Sequence, residues 1–435
     1  MSYIGFVKHT FSSKIATLFI GIISHVLCTK AMGPSIYGIA ILILVFQPII
    51  IKFMNLGIAG SATYYINKDP NNKSEYIGTL LCFCIFSILP ITILLFFSLN
   101  FLFSIYPILI GYKNYLVYLF FLTPIFIFQF FLKNLLKALN QISTINNINI
   151  LFISIFNFIS FVLLYIFYKI DLNTFLSVQV LSTLISCILI LIKLHKENNL
   201  FFSFNISFFK NMLNFGLKGY FANISGALNE KIETLIIGLF LSPAMIGNYS
   251  VALTISNKFK IIPQSLSLPL YPYLAKSDNQ DATNQVNKII RLTMFPFILI
   301  VCVLIFPIQL YLSHFYPQYL YSQTPMLILI FNVLFITIYK ILGNYFLGSG
   351  RPELRSLQKI IFLFSNIILM FYLVPLKDAW FGGINGCAVS VLLSGILVAF
   401  FSIIIYLRIS KTHLKELIFD TAEFIYFFNK KILKR

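Results

Sequence analysis

FGLKGYFANISGALNEKIETLIIGLFL, residues 215–241, is long enough to cross a bilayer, yet it carries Lys218, Glu230, Lys231 and Glu233. A spanning helix needs about 20 mostly apolar residues. A charge at the bilayer centre costs about 2.5–3.5 kcal/mol on insertion scales. Four charges on a lipid-facing helix would not be tolerated, so one face of this helix must meet protein or water. It reads as one wall of a polar cavity in the membrane through which something charged passes.

Outward from this stretch, apolar runs of similar length recur along all 435 residues. The chain is 59% hydrophobic and 10% charged, against about 25% charged in soluble proteins. This composition specifies an all-α polytopic membrane protein, because a helix satisfies its own backbone hydrogen bonds in lipid. Twelve spans are expected near 10–29, 36–60, 77–100, 115–138, 145–168, 174–194, 213–241, 244–274, 289–313, 324–347, 357–375 and 384–407. The N-terminus reads as the first permanent span rather than a cleavable signal.

The net charge of +19 lies between spans rather than on one domain, which excludes nucleic acid as a partner. With the N-terminus inside, the inside segments and tail hold twenty-two Lys and Arg, and the outside segments only Lys30, Lys113, Lys169 and Lys377. That asymmetry orients the chain with both termini in the cytoplasm. The six cysteines lie in apolar runs and read as small hydrophobes. The five histidines show no metal spacing. No catalytic residue, metal or cofactor is expected, and His25 reads as a helix–helix hydrogen-bonding residue.

An internal repeat is legible. Pro34 and Gly38 recur 209 residues later as Pro243 and Gly247, and Asn140 recurs 210 residues later as Gly350. Two pseudo-symmetric six-helix bundles around a central cavity follow, a common transporter design. The expected domains are a first bundle over 1–194, a cytoplasmic interfacial linker over 195–212, a second bundle over 213–410 and a basic amphipathic tail over 411–435 that lies on the membrane surface.

Six basic residues fall deep in spans: Lys52, Lys218, Lys231, Lys258, Lys260 and Lys340. Only Glu230 and Glu233 accompany them. This excess of cations points to an anionic cargo, since lysine binds phosphate as a flexible point charge. Lys52 plus the 209-residue offset falls one residue from Lys260, so both halves would present a cation to the cavity. The two glutamates could couple transport to protons or pair with the lysines. No GxxxxGK[ST] motif occurs, which excludes a P-loop ATPase.

Several stretches together resemble the bacterial polysaccharide-export flippases of the Wzx O-antigen type, within the superfamily that also holds lipid II flippases and multidrug antiporters. They are Met32-Gly33-Pro34 through Tyr37-Gly38, residues 55–62 (NLGIAGSA), residues 215–220 (FGLKGY), residues 228–233 (LNEKIE) and residues 246–252 (IGNYSVA). Residues 269–272 and 348–352 also fit. The family usually has Arg and Asp where Lys231 and Glu233 stand. The resemblance implies that undecaprenyl-diphosphate-linked oligosaccharide repeat units move from the cytoplasmic to the periplasmic leaflet of the inner membrane. It implies membrane lipids, a polysaccharide polymerase and a chain-length regulator as partners. The alternatives are a small-molecule or drug antiporter, which the cationic cavity disfavours, and a polysaccharide polymerase, an enzyme for which a long periplasmic loop is missing.

Overall fold

The computed structural model describes residues 3–197, 202–260, 279–376 and 379–417. The described residues are helical, with no strand among them. The helices are α1 (Tyr3–Leu44), α2 (Phe46–Asn55), α3 (Ile58–Lys68), α4 (Lys73–Ile105), α5 (Val117–Ala138), α6 (Ile142–Asn147), α7 (Ile155–Phe167), α8 (Leu172–Lys196), α9 (Ile206–Phe240) and α10 (Pro243–Phe259). After residues 261–278 follow α11 (Asn279–Phe315), α12 (Gln323–Gly348), α13 (Pro352–Leu373) and α14 (Gly383–Ser410). As far as the described residues reach, each of the twelve expected spans is mainly helical. By length and composition alone, seven helical stretches among the described residues could cross a membrane.

The first two spans meet at Gly33, whose φ of 68° and ψ of 169° interrupt α1 just before Pro34. A straight helix would place residues 25 and 37 about 18 Å apart. Instead the His25 Nε2 and the Tyr37 hydroxyl are 2.9 Å apart. The chain therefore reverses at Gly33, and His25 makes the helix–helix bond expected of it.

The second expected span, 36–60, is corrected. It is broken between α2 and α3, where Leu56 (φ 48°) and Gly57 (φ 77°) are both left-handed. The Asn55 side-chain oxygen accepts the Ala59 N–H at 3.0 Å, satisfying one of the free donors at the start of α3. Gly57 is required twice over: its φ is positive, and a Cβ there would strike the Gly216 backbone of α9. Asn55→Ala should lower the melting temperature of the purified protein, at a cost of about 1 kcal/mol. An unchanged melting curve would mean that packing alone holds the break. The expected span at 145–168 is also interrupted, by the π-helical turn Ile148–Ser154 between α6 and α7.

The repeat extends beyond the turns read from the sequence. Tyr106–Pro107 and Tyr316–Pro317, 210 residues apart, each end a helix and open a 3-10 turn. The closing bonds match: Tyr106 N–H to Leu102 O, and Tyr316 N–H to Leu312 O. Asn140 (φ 59°) and Gly350 (φ 75°) likewise share one helix-ending geometry. The next residue donates back to Leu136 O in the first case and to Phe346 O in the second, each at 2.8 Å.

The chain divides into two compact units, residues 1–247 and residues from Asn248 onward. In the first, α3, α4, α5 and α8 enclose a core that includes Ile58, Leu80, Phe131, Leu132 and Leu194, with Met212 from α9. Helix α9 packs against α2, α3 and α4. In the second unit α12, α13 and α14 pack together, and α11 contributes Val286 to a core with Ile341, Phe346 and Tyr406. The segment before α9 crosses α4, where the Asn205 N–H donates to the Thr79 hydroxyl at 3.3 Å. Of the tail, residues 414–417 form a 3-10 turn; the amphipathic helix expected over 411–435 lies mostly outside the described residues.

Candidate functional site

The first unit brings three cations together. Lys52 lies in the last turn of α2, just before the Leu56–Gly57 break. Its ammonium sits 5.2 Å from the centroid of the Phe130 ring on α5, an attraction of about 0.5–2 kcal/mol. Phe130, Lys133 and Lys137 follow one another at spacings of three and four, so they share one face of α5. The Phe130 contact therefore sets Lys52 against the face of α5 that carries Lys133 and Lys137. Among the described residues, no carboxylate oxygen lies within 4 Å of the Lys52, Lys133 or Lys137 ammonium. Like charges held together without a carboxylate repel one another, and an anion between them would relieve that repulsion.

Lys133 and Lys137 are functional candidates that the sequence reading did not select, because it counted them with the charges that set orientation. The available signal was their i, i+4 spacing behind an aromatic residue inside a spanning helix.

Helix α9, 35 residues long, spans about 52 Å against a hydrocarbon core of about 30 Å. Its first half packs at the α2–α3 break. Phe215 stacks on Tyr64 with centroids 4.5 Å apart, and the Tyr220 hydroxyl donates to Phe53 O at 2.8 Å. Lys218, exposed, lies between these anchors. Farther along, the Tyr106 hydroxyl donates to Leu235 O at 3.3 Å, and Gly238 packs on Leu42. Glu230 and Glu233, three residues apart, differ in surroundings: Glu230 is exposed, whereas Glu233 is 5% exposed. Lys231 is half-buried.

The remaining sequence candidates fall in the second unit. Lys258 is half-buried in the last turn of α10. Lys260 lies in the turn after it, its N–H donating to Asn257 O at 3.2 Å. Lys340 is half-buried on α12. The structure thus places Lys52, Lys218, Lys231, Glu230 and Glu233 in one unit and Lys258, Lys260 and Lys340 in the other. Among the described residues, no group of three or more His, Cys, Asp or Glu side chains could hold a metal ion.

Residues 7–278 match the family described as polysaccharide biosynthesis protein. The capsular polysaccharide biosynthesis protein CapF of Staphylococcus aureus is 26% identical over 241 residues, which is 51% of this chain and 58% of CapF. The probable low-salt glycan biosynthesis flippase Agl15 of Haloferax volcanii is 20% identical over 190 residues, 42% of this chain and 39% of Agl15. The match spans about half the length of these curated relatives. Among solved structures, the lipid II flippase MurJ in an inward closed conformation superposes with a TM-score of 0.72 at 18% identity, covering 95% of this chain and 89% of MurJ. An inward-facing multidrug resistance MATE family transporter superposes at 0.67 with 12% identity, covering 91% of this chain and 94% of its own. The fold is that of these twelve-helix transporters.

Proposed function

We propose, since the chain belongs to the polysaccharide biosynthesis protein family, that it is a flippase for undecaprenyl-diphosphate-linked oligosaccharide repeat units. The observation that carries this reading is the cluster of Lys52, Lys133 and Lys137. Lys52 and Lys133 are half-buried and Lys137 is exposed; cations gathered in a membrane protein are costly, and a diphosphate offsets that cost with charge-assisted hydrogen bonds. A cationic drug, the cargo of an antiporter, would be repelled. The names of CapF and Agl15, one a capsular polysaccharide biosynthesis protein and the other a probable flippase, support the same reading.

In this proposal the protein works as a transporter rather than an enzyme, by alternating access, from the cytoplasmic to the periplasmic leaflet of the bacterial inner membrane. Both termini lie in the cytoplasm, as the Lys and Arg asymmetry suggests. The lysine cluster holds the diphosphate, with Lys218, Lys231, Lys258, Lys260 and Lys340 as further substrate-binding cations. Proton coupling through Glu230 or Glu233 resets the cycle. A polysaccharide polymerase and a chain-length regulator act on the delivered units.

The test is leaflet access in cells lacking the gene. Spheroplasts are probed from outside with a membrane-impermeant, sugar-directed reagent. Single lipid-linked repeat units should accumulate and react only after lysis. Units that are already reachable from outside but remain unpolymerised would rule out the flippase reading.

A further inference from the structure

The end of the second unit where α12 meets α13 and where α14 finishes holds a cavity of about 520 Å³. It is separate from the lysine cluster, which belongs to the first unit. Its lining residues Thr283, Tyr345 and Glu416 belong to a network of bonded polar groups. The Tyr406 hydroxyl donates to Asn287 Oδ1 at 2.6 Å, and the hydroxyls of Thr283 and Tyr345 are 3.4 Å apart. Asn287 Nδ2 donates to Glu416 Oε2 at 3.2 Å. The His413 N–H donates to Glu416 Oε1 at 3.2 Å. Both carboxylate oxygens of Glu416 therefore already accept bonds from protein. That acid is committed to holding the 413–417 turn against α11.

Among the described residues, the cations of the lining are Arg351 and Lys411, both exposed. Each is held by a break in the backbone. Gly350 (φ 75°) turns the chain so that the Arg351 N–H closes on Phe346 O. Lys411 itself adopts φ 56° at the end of α14, a conformation that costs a non-glycine residue roughly 1–2 kcal/mol. Beside the cations lie the neutral side chains of Gln280, Asn284, Ser349 and Thr412. Amides and hydroxyls of this kind exchange hydrogen bonds with hydroxyl groups, and the two cations suit a phosphate. The volume falls within the roughly 300–1,000 Å³ of small-molecule sites and exceeds the needs of a lone phosphate.

We propose that this cavity binds a phosphate ester of a polyol, through Arg351 and Lys411 on the phosphate and the neighbouring amides and hydroxyls on the polyol. The same chemistry occurs in the headgroup of an anionic glycerophospholipid and in a free glycerol or sugar phosphate. The site does not depend on the transport reading, and its occupant would report membrane composition or metabolite level to the second unit.

The test uses the full chain purified in detergent and titrated calorimetrically with dihexanoyl phosphatidylglycerol, glycerol 1-phosphate and dihexanoyl phosphatidylcholine. Saturable binding of phosphatidylglycerol alone identifies a lipid headgroup site, and binding of glycerol 1-phosphate as well identifies a site open to free phosphate esters. Arg351→Ala or Lys411→Ala should weaken binding by about tenfold each, while Arg351→Lys and Lys411→Arg keep it within about threefold. Monodisperse elution and an unchanged melting curve separate lost binding from lost folding. Should an alanine variant fail to fold, the charge-reversing Lys411→Glu and the charge-keeping pair carry the comparison. The proposal is overturned if neither phosphate ester binds, if phosphatidylcholine binds equally well, or if the folded charge-removing variants bind like the native chain.

Discussion

Gly38→Ala and Gly247→Ala are each expected to remove most folded protein from the membrane, although each adds one carbon atom. A Cβ on Gly38 would strike the Pro243 carbonyl oxygen and crowd the Gly247 nitrogen; a Cβ on Gly247 would strike the Pro34 carbonyl oxygen. The obstruction is backbone in both cases, so no side-chain rotation relieves it. Small residues at i and i+4 let membrane helices approach this closely, and here Pro34-x-x-x-Gly38 meets Pro243-x-x-x-Gly247. The neighbouring Tyr37, Ile39 and Ala40 are all buried, so there is little free space into which the backbone could shift. Overpacking of this kind costs about 1–3 kcal/mol and occasionally more, and this site belongs at the upper end. Gly60→Ala is the control, since nothing lies within 4 Å of a Cβ there. The check is the monodisperse peak in fluorescence-detected size-exclusion chromatography. Equal recovery of Gly38→Ala and Gly60→Ala would show that the two helices can separate at little cost.

Lys52→Ala should cut transport of lipid-linked repeat units by about 10- to 100-fold at unchanged membrane abundance. The magnitude follows from losing a hydrogen bond to a charged group, about 1.5–3 kcal/mol, with 1.4 kcal/mol per tenfold. Abundance should hold because Lys52 is only half-buried and its loss leaves no buried group unpaired. Lys52→Arg keeps the charge and the contact with the Phe130 ring, and should retain most transport. Lys133→Ala and Lys137→Ala should each do less, since both leave Lys52 in its contact with the Phe130 ring. The triple variant should be inactive. A spheroplast assay that scores the exposed fraction of labelled repeat units reads all of these. Native transport by a well-expressed triple variant would remove the cluster from the mechanism.

The two predictions differ in how far the sequence anticipates them. Pro34, Gly38, Pro243 and Gly247 stand out because the 209-residue offset repeats a turn chemistry. That Gly38 and Gly247 face each other's turns is a fact of packing. The same limit applies to the matching Tyr106–Pro107 and Tyr316–Pro317 turns. Their offset is present in the sequence, but a Tyr-Pro pair in an aromatic-rich chain carries little signal until the backbone shows two helices ending alike. Lys133 and Lys137 were visible as charges near a helix end. Only the approach of α2 to α5 turns them from markers of orientation into partners of Lys52.

The sequence by itself determined the all-helical membrane class, the positions of the spans, the repeat and the excess of cations among them. Those properties follow from local composition and spacing, which the bilayer selects directly through apolar length and charge. The tertiary structure alone decided where the chain breaks within a span and which charges share a surface. The left-handed Leu56–Gly57 break lies where the Gly216 backbone of α9 comes too close for any Cβ at residue 57. Glu230 and Glu233 occupy different surroundings although helix periodicity puts them on one face. The approach of Gly57 to Gly216 joins residues more than a hundred positions apart, and burial depends on the whole fold, so no window along the chain contains either feature.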